Sequence, residues 1–307
     1  MISQGRPAPI RLNAYLGGRR RTRVMGILNV TPDSFSGDGL AVGGDVAARV
    51  LKQAEAFLAD GADILDVGGE STRPGADPVS ADVETARVVP VIATLIARFP
   101  DAVISIDTCK AEVAARALDA GAAMVNDVWA LKADAGMPGL VAARGVPVIL
   151  MHNRSRRDAV ANDPRIGGQY AGAEYGHLLQ DVAAELKTLA DDAVSAGIDR
   201  DQIVLDPGIG FGKSVTQNMA LINHLDALSS LGFPLLIGPS RKSFIGQVLG
   251  VGPDEREEGT AAALAIGIAR GADIVRVHDV RAMARITRMT DAILATLPDG
   301  SAAPDGA

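Results

Sequence analysis

Eight short apolar runs recur along this chain, and most are continuous rather than alternating. They are VMGILNV (24–30), DILDVGG (63–69), VISIDT (103–108), AMVNDV (123–128), VPVILMH (146–152), IVLDPG (203–208), PLLIGPS (234–240) and DIVRVHD (273–279). An uninterrupted apolar run suits a strand buried on both faces of a parallel sheet. Between the runs lie Ala-rich segments with a helical period. In 45–60, Val46, Val50, Ala54 and Phe57 follow i, i+4, i+8, i+11, and 111–120, 181–196 and 257–270 also read as helices. Many of these helices hand over to the next strand through a glycine, as in DGADIL, AGAAMV, RGVPVI and RGADIV. Glycine enters the left-handed conformation at a helix end without a Cβ clash. Eight such units predict a single-domain α/β protein, a (β/α)8 TIM barrel over 22–296, with an open doubly wound sheet as the alternative. Residues 1–21 read as an N-terminal extension and 297–307 as a disordered tail.

Composition supports a core without large rings. Apolar residues make up 48% of the chain but aromatics only 3%, so Ala, Val, Ile and Leu must fill the interior. A net charge of −7 gives a nucleic-acid partner no bulk electrostatic support. The one cysteine, Cys109, excludes an internal disulfide and fits a reducing cytoplasm. The cluster GRRRTR is followed by a run that soon turns polar, so it reads as a solvated entry to the first strand, not an export signal. No run approaches the ~18 apolar residues of a membrane span. A cytoplasmic protein with no membrane partner is expected.

The stretch IVLDPGIGFGKS (203–214) poses a sharper question, because it ends like a phosphate-binding loop. That loop needs a glycine five residues before Gly212, where this chain has Pro207, which lacks an N–H. The even spacing of Gly208, Gly210 and Gly212 also fails the dinucleotide pattern. What remains is an acid, Asp206, closing a buried strand. The other strands end similarly: Asn29; Asp66; Asp107; Asn126 and Asp127; His152 and Asn153; Ser240, Arg241 and Lys242; Arg276 and His278. In a barrel these ends converge on one mouth, where active sites lie. Long segments at 31–44, 70–80 and 153–173 follow strands and would lie on the same face. Acids and amides suit a neutral heterocycle rich in N–H groups, and cations suit a phosphate. A Schiff-base aldolase using Lys242 remains compatible with these residue types alone.

Longer motifs narrow the choice. GILNVTPDSFSGDG (26–39), DVGGESTRPGA (66–76), SIDT (105–108), NDVW (126–129), LDPGIGFGK (205–213), GPSRKSFIG (238–246) and RVHDV (276–280) occur in order. This series closely resembles the dihydropteroate synthases of the pterin-binding family, across roughly 22–295. The resemblance implies a (β/α)8 barrel that joins 6-hydroxymethyl-7,8-dihydropterin pyrophosphate to p-aminobenzoate, releasing pyrophosphate and 7,8-dihydropteroate. It implies a pterin site of Asp107, Asn126, Val128, Met151, Asp206, Phe211, Gly238, Lys242 and Arg276. Pyrophosphate would meet Asn29, Arg73, Arg276 and His278, with Asn29 as the protein ligand of Mg²⁺. p-Aminobenzoate would lie against Phe35, Thr72, Arg73, Pro74, Lys242 and Ser243. Asp33, Lys242 and Arg73 would be the catalytic residues, with Asp33 near the reacting methylene. Homodimers are expected from the family. Lys213 and Ser214 receive no phosphate role, and His177 and His224 read as helical surface or packing residues. Two rivals share the pterin pocket. A methyltetrahydrofolate-dependent methyltransferase has no evident need for the TPDSF, STRPG and SRKSF set. A non-catalytic pterin-binding paralogue would be expected to lose the anion residues, which are all present. One departure stands in the first long loop, where SFSGDG (34–39) replaces the family's SFSDGG.

Overall fold

The computed structural model describes residues 10–17, 21–31, 44–71, 78–155, 160–163, 167–170 and 173–296. Each of the eight apolar runs coincides with a strand: β1 Arg23–Asn29, β2 Ile64–Gly68, β3 Val103–Asp107, β4 Met124–Asp127, β5 Val148–Met151, β8 Ile203–Asp206, β9 Leu236–Ile237 and β10 Ile274–Val277. They form one sheet in the order β8-β5-β4-β3-β2-β1-β10-β9, with every pairing parallel. A parallel bridge between Leu205 and Leu235 joins the two edges, and the Leu205 N–H donates to Pro234 O at 2.9 Å. The sheet is thereby a closed ring, not an open doubly wound layer.

Helices follow the strands around the outside: α2 Gly44–Asp60, α3 Ala81–Arg98, α4 Ala111–Asp119, α5 Met137–Arg144, α6 Leu178–Ser195, α7 Val215–Asn223, α8 Ser243–Leu249, α9 Glu257–Ala269 and α10 Val280–Leu294. Alternate strand side chains serve two separate cores, because successive residues point to opposite faces. Val24, Leu28, Leu65, Val67, Ile104, Ile106, Val148 and Leu150 pack outward against the helices. Met25, Ile64, Met124, Ile149, Val204, Leu236 and Ile274 face one another inside the ring.

A further helix, α1 Leu12–Leu16, buries Leu12 and Leu16 in that inner cluster. The residues that the inner core takes from the strands lie towards the strand starts, so α1 plugs the end of the barrel opposite the mouth. Gln202 fastens it: its Oε1 accepts the Leu12 N–H at 3.0 Å, and its Nε2 donates to Ile10 O at 2.8 Å and Gly145 O at 2.9 Å. The Tyr15 hydroxyl donates to Asp63 O at 2.8 Å, and the Arg23 guanidinium lies 4.9 Å from the centre of the Tyr15 ring.

One local expectation changes and another is refined. The segment after β5 contains an antiparallel hairpin, β6 Val160–Asp163 and β7 Gly167–Tyr170, with Val160 opposite Tyr170 and Asp163 opposite Gly167. His177 and His224 sit at helix ends, as the N-cap of α6 and C-cap of α7, and both are exposed.

Candidate active site

Above the apolar layer the inward strand positions turn polar. Asp66, Asp107, Asn126 and Asp206 are all buried, and they face the half-buried Arg276 from β10. Arg276 Nε donates to Asp66 Oδ2 at 2.6 Å and its Nη2 donates to Asp107 Oδ2 at 2.6 Å. Asn126 Nδ2 donates to the same Asp66 oxygen at 3.0 Å. Asp66 Oδ1 and the Ser105 hydroxyl are buried without a hydrogen-bond partner. Burial raises the Asp107 carboxyl above its ordinary range, and Arg276 opposes that rise. Burial likewise pushes Asp206 up to about 6, offset by the Gly208 N–H, which donates to Asp206 Oδ1 at 2.6 Å.

The same alternation removes two strand-end residues from the mouth. Asp127, next to inward Asn126, faces outward and accepts the N–H groups of Trp129 at 2.8 Å and Leu131 at 2.9 Å. These bonds brace a turn in which Ala130 and Leu131 have φ of 51° and 66°. His152, next to inward Met151, faces α6, with Nε2 3.0 Å from Glu185 Oε2. Arg241 also leaves the ring of cations. It holds φ of 56° and pairs with Asp279, its Nε donating at 2.9 Å.

One side of the mouth is apolar. Val128, Met151 and Phe211 are buried together, with Trp129 packed against them. Lys242 reaches this wall from the start of α8, its Nζ 4.1 Å from the Phe211 ring centre. Burial and the nearby Arg276 push its ammonium down to about 8. The Lys242 stem passes over Gly210, where a Cβ would stand 2.7 Å from Lys242 Cδ, and Gly210 has φ of 85°. Only glycine combines that backbone conformation with that close approach.

Gly238 lies beneath Arg276, its position for a Cβ 3.7 Å from Arg276 Cβ. At the outer rim, Ser240 Oγ accepts the His278 N–H at 3.1 Å and lies 3.1 Å from His278 Nδ1. Burial, with Arg276, pushes His278 down to about 3, so the ring is neutral at physiological pH. A Ser240 hydroxyl donating to Nδ1 leaves Nε2 as the protonated nitrogen. Asn29 ends β1 half-buried, and Ser243 opens α8 half-buried. Asp33, Phe35, Thr72, Arg73 and Pro74 lie outside the described residues, as does the SFSGDG departure.

The structure adds two residues. Asp66 was visible as an acid at a strand end, yet its bridging of Asn126 and Arg276 depends on pairing across the barrel. Lys213 is a buried lysine beneath the glycine loop, donating to Gly208 O at 3.0 Å and Phe211 O at 3.1 Å.

A slot with hydrogen-bonding acids and an amide at its floor, an aromatic wall and cations at its rim suits a flat, polar heterocycle carrying an anionic group. That places the protein among the (β/α)8-barrel enzymes that take a substrate at the C-terminal ends of their strands. Residues 25–278 match the pterin binding enzyme family. The dihydropteroate synthase of Bacillus subtilis is 46% identical over 279 residues, covering 91% of this chain and 91% of that protein. Among solved structures, a dihydropteroate synthase from Clostridium difficile, determined in the presence of pteroic acid, is 44% identical with a TM-score of 0.80, covering 89% of this chain and 97% of that one. Xanthomonas albilineans dihydropteroate synthase with 4-aminobenzoic acid is 40% identical with a TM-score of 0.81, covering 91% and 95%. The chain belongs to the pterin binding enzyme family, with the dihydropteroate synthases.

Proposed function

We infer that the protein transfers the methylene of 6-hydroxymethyl-7,8-dihydropterin pyrophosphate to the amine of p-aminobenzoate, giving 7,8-dihydropteroate and pyrophosphate for folate biosynthesis. The observation that carries this reading is the buried Asp66–Asn126–Arg276–Asp107 network facing Asp206 across the barrel mouth. Ionised Asp107 and Asp206 accept pterin N–H groups, and Asn126 adds a donor and an acceptor. Lys242 binds the pterin carbonyl and ring nitrogen. Val128, Met151 and Phe211 cover the ring, Gly238 leaves room beside it, and the Arg276 guanidinium stacks on it. Phe35, Thr72, Arg73, Pro74, Lys242 and Ser243 hold p-aminobenzoate, and Asp33 lies near the methylene.

The substitution is dissociative: the bond from the methylene carbon to the pyrophosphate oxygen breaks first, electron donation from the dihydropterin ring supports the methylene cation, and the aryl nitrogen then bonds to that carbon. The nitrogen then loses a proton to solvent. A weak aryl nucleophile and a good leaving group favour early cleavage, so the site's task is to stabilise separated charge with groups already in place. Arg73, Arg276, His278 Nε2–H and Asn29 grip the departing pyrophosphate.

Mg²⁺ fits this arrangement as a cation that arrives with its phosphates. Asn29 offers one neutral oxygen at the mouth, and Mg²⁺ usually takes waters and phosphate oxygens for its other ligands. Among the described residues no group of three or more His, Cys, Asp or Glu could hold a metal alone. When bound, Mg²⁺ would neutralise charge on the leaving pyrophosphate.

A homodimer is supported by exposed Met219, Val248, Leu249 and Ile266 on the adjacent helices α7, α8 and α9. A cytoplasmic site of action is supported by the single cysteine. No described helix is long and apolar enough to cross a membrane.

The deciding experiment follows pyrophosphate release from the pterin pyrophosphate with and without p-aminobenzoate and Mg²⁺, with chromatography for dihydropteroate. Release that needs both and equals product formation supports the reading. Pterin binding without dihydropteroate would refute it.

A further inference from the structure

We propose that Lys213 is a positioning residue for the pterin pocket, an internal amine staple that joins the exits of β5 and β8 and so sets the slot between Asp206, Phe211 and Met151. This rests on the assignment of those three residues to the pterin site. The observation is a tie between two loops. Lys213 is 7% exposed, and its Nζ donates to Gly208 O at 3.0 Å, Phe211 O at 3.1 Å and His152 O at 3.4 Å. It also lies 3.2 Å from His152 Nδ1. An ammonium has three protons and no acceptor, so carbonyls from two chain segments suit it.

Those carbonyls flank the residues that form the slot. His152 directly follows Met151, and its N–H donates to Asp206 O at 2.8 Å. Phe211 O belongs to the residue whose ring faces Lys242. The two segments touch so closely that a Cβ on Gly208 would lie 2.0 Å from His152 O, and Gly208 has φ of 70°.

Behind the staple the hydrogen-bond chain continues outward through a neutral His152, whose ring is pushed down to about 4 by burial. His152 Nε2 contacts Glu185 Oε2 at 3.0 Å, and Arg154 Nε donates to Glu185 Oε1 at 3.0 Å. The Ala173 N–H donates to Gly212 O at 2.8 Å, holding the same loop from outside. Burial pushes Lys213 down to about 7, while Asp206 and Glu185 favour its charged form. Simple packing would be served by an apolar side chain, since an ammonium resists burial. An amine whose N–H groups reach three carbonyls, charged or neutral, holds a loop in one geometry, which a binding slot needs within about 0.5 Å.

The test compares Lys213→Met, Lys213→Gln and Asp206→Asn. Each is checked for folding by circular dichroism and thermal melting, then titrated with 6-hydroxymethylpterin by fluorescence. For folded Lys213→Met we expect pterin Kd and the KM for pterin pyrophosphate to rise by about tenfold or more. The KM for p-aminobenzoate should stay within about twofold and kcat should fall less than pterin affinity. Lys213→Gln, which keeps two N–H donors, should recover part of the loss. A folded Lys213→Met with wild-type pterin affinity overturns the staple. If Lys213→Met does not fold, Lys213→Gln decides, and unchanged affinity in that variant is the refuting result. Unchanged affinity in Asp206→Asn would instead refute the pocket assignment, so the two failures are distinguishable.

Discussion

Asp206 illustrates a conflict between stability and function at the scale of one residue. Its folded-state value, near 6, lies above that of an unfolded aspartate, so the native state holds the proton more tightly. Native stability therefore falls as pH rises from about 4 to about 6, and the full penalty remains above that window. Asp206→Asn should raise stability at pH 7.5 by on the order of 2 kcal/mol, read by urea unfolding, while pterin binding is lost. A fall in stability would contradict this account. In the wild type, pterin affinity should decline as pH drops from 7.5 to 5.5, because Asp206 and Asp107 lose their acceptor charge, and fluorescence titration would reveal it. A flat profile would count against ionised acceptors. The sequence displayed these acids at strand ends but not which way they face. Asn126 and Asp127 are neighbours with equal claims, yet only the first is inward, because parity is set by pairing with β3 and β5. Lys213 was still less legible: its surroundings looked like a phosphate loop, and its real partners come from residue 152 as well as its own loop.

Among the elements, the glycine loop after β8 carries the most specific requirement. Gly210→Ala adds a methyl at positive φ against the Lys242 stem, so Lys242 must move. Loss of most turnover with a change in melting temperature of only a few degrees is expected; near-normal turnover would show that Lys242 tolerates displacement. The strands were readable as continuous apolar runs, and α2, α4, α6 and α9 by their helical period, whereas the long α3 and α10 were implied only by the count of eight units. The hairpin β6–β7 and the five-residue α1 were not readable. A helix as short as α1 has no independent stability, and tertiary contacts alone hold it. Leu12→Ala should destabilise the protein by about 3 kcal/mol through a cavity in the barrel floor, with KM values unchanged. Denaturant unfolding and steady-state kinetics would separate those effects, and a raised KM would mean that the plug influences the mouth.

The molecule as a whole is a ring with one face for chemistry and another for support. If the α7–α9 surface pairs two copies, Ile266→Glu should shift the protein from dimer to monomer in sedimentation velocity. A wild type that sediments as a monomer at micromolar concentration would remove that proposal. The plug also bears on how the chain is made. Leu12 is fastened to Gln202, 190 positions later, and α1 packs among side chains from nearly every strand, including β10. A ribosome releases the chain from its N-terminus, so the first helix emerges long before its socket exists. Leu12 and Leu16 must wait, uncovered, while most of the barrel is synthesised. The barrel floor therefore seals only after the later strands exist, because α1 precedes in sequence every strand that surrounds it.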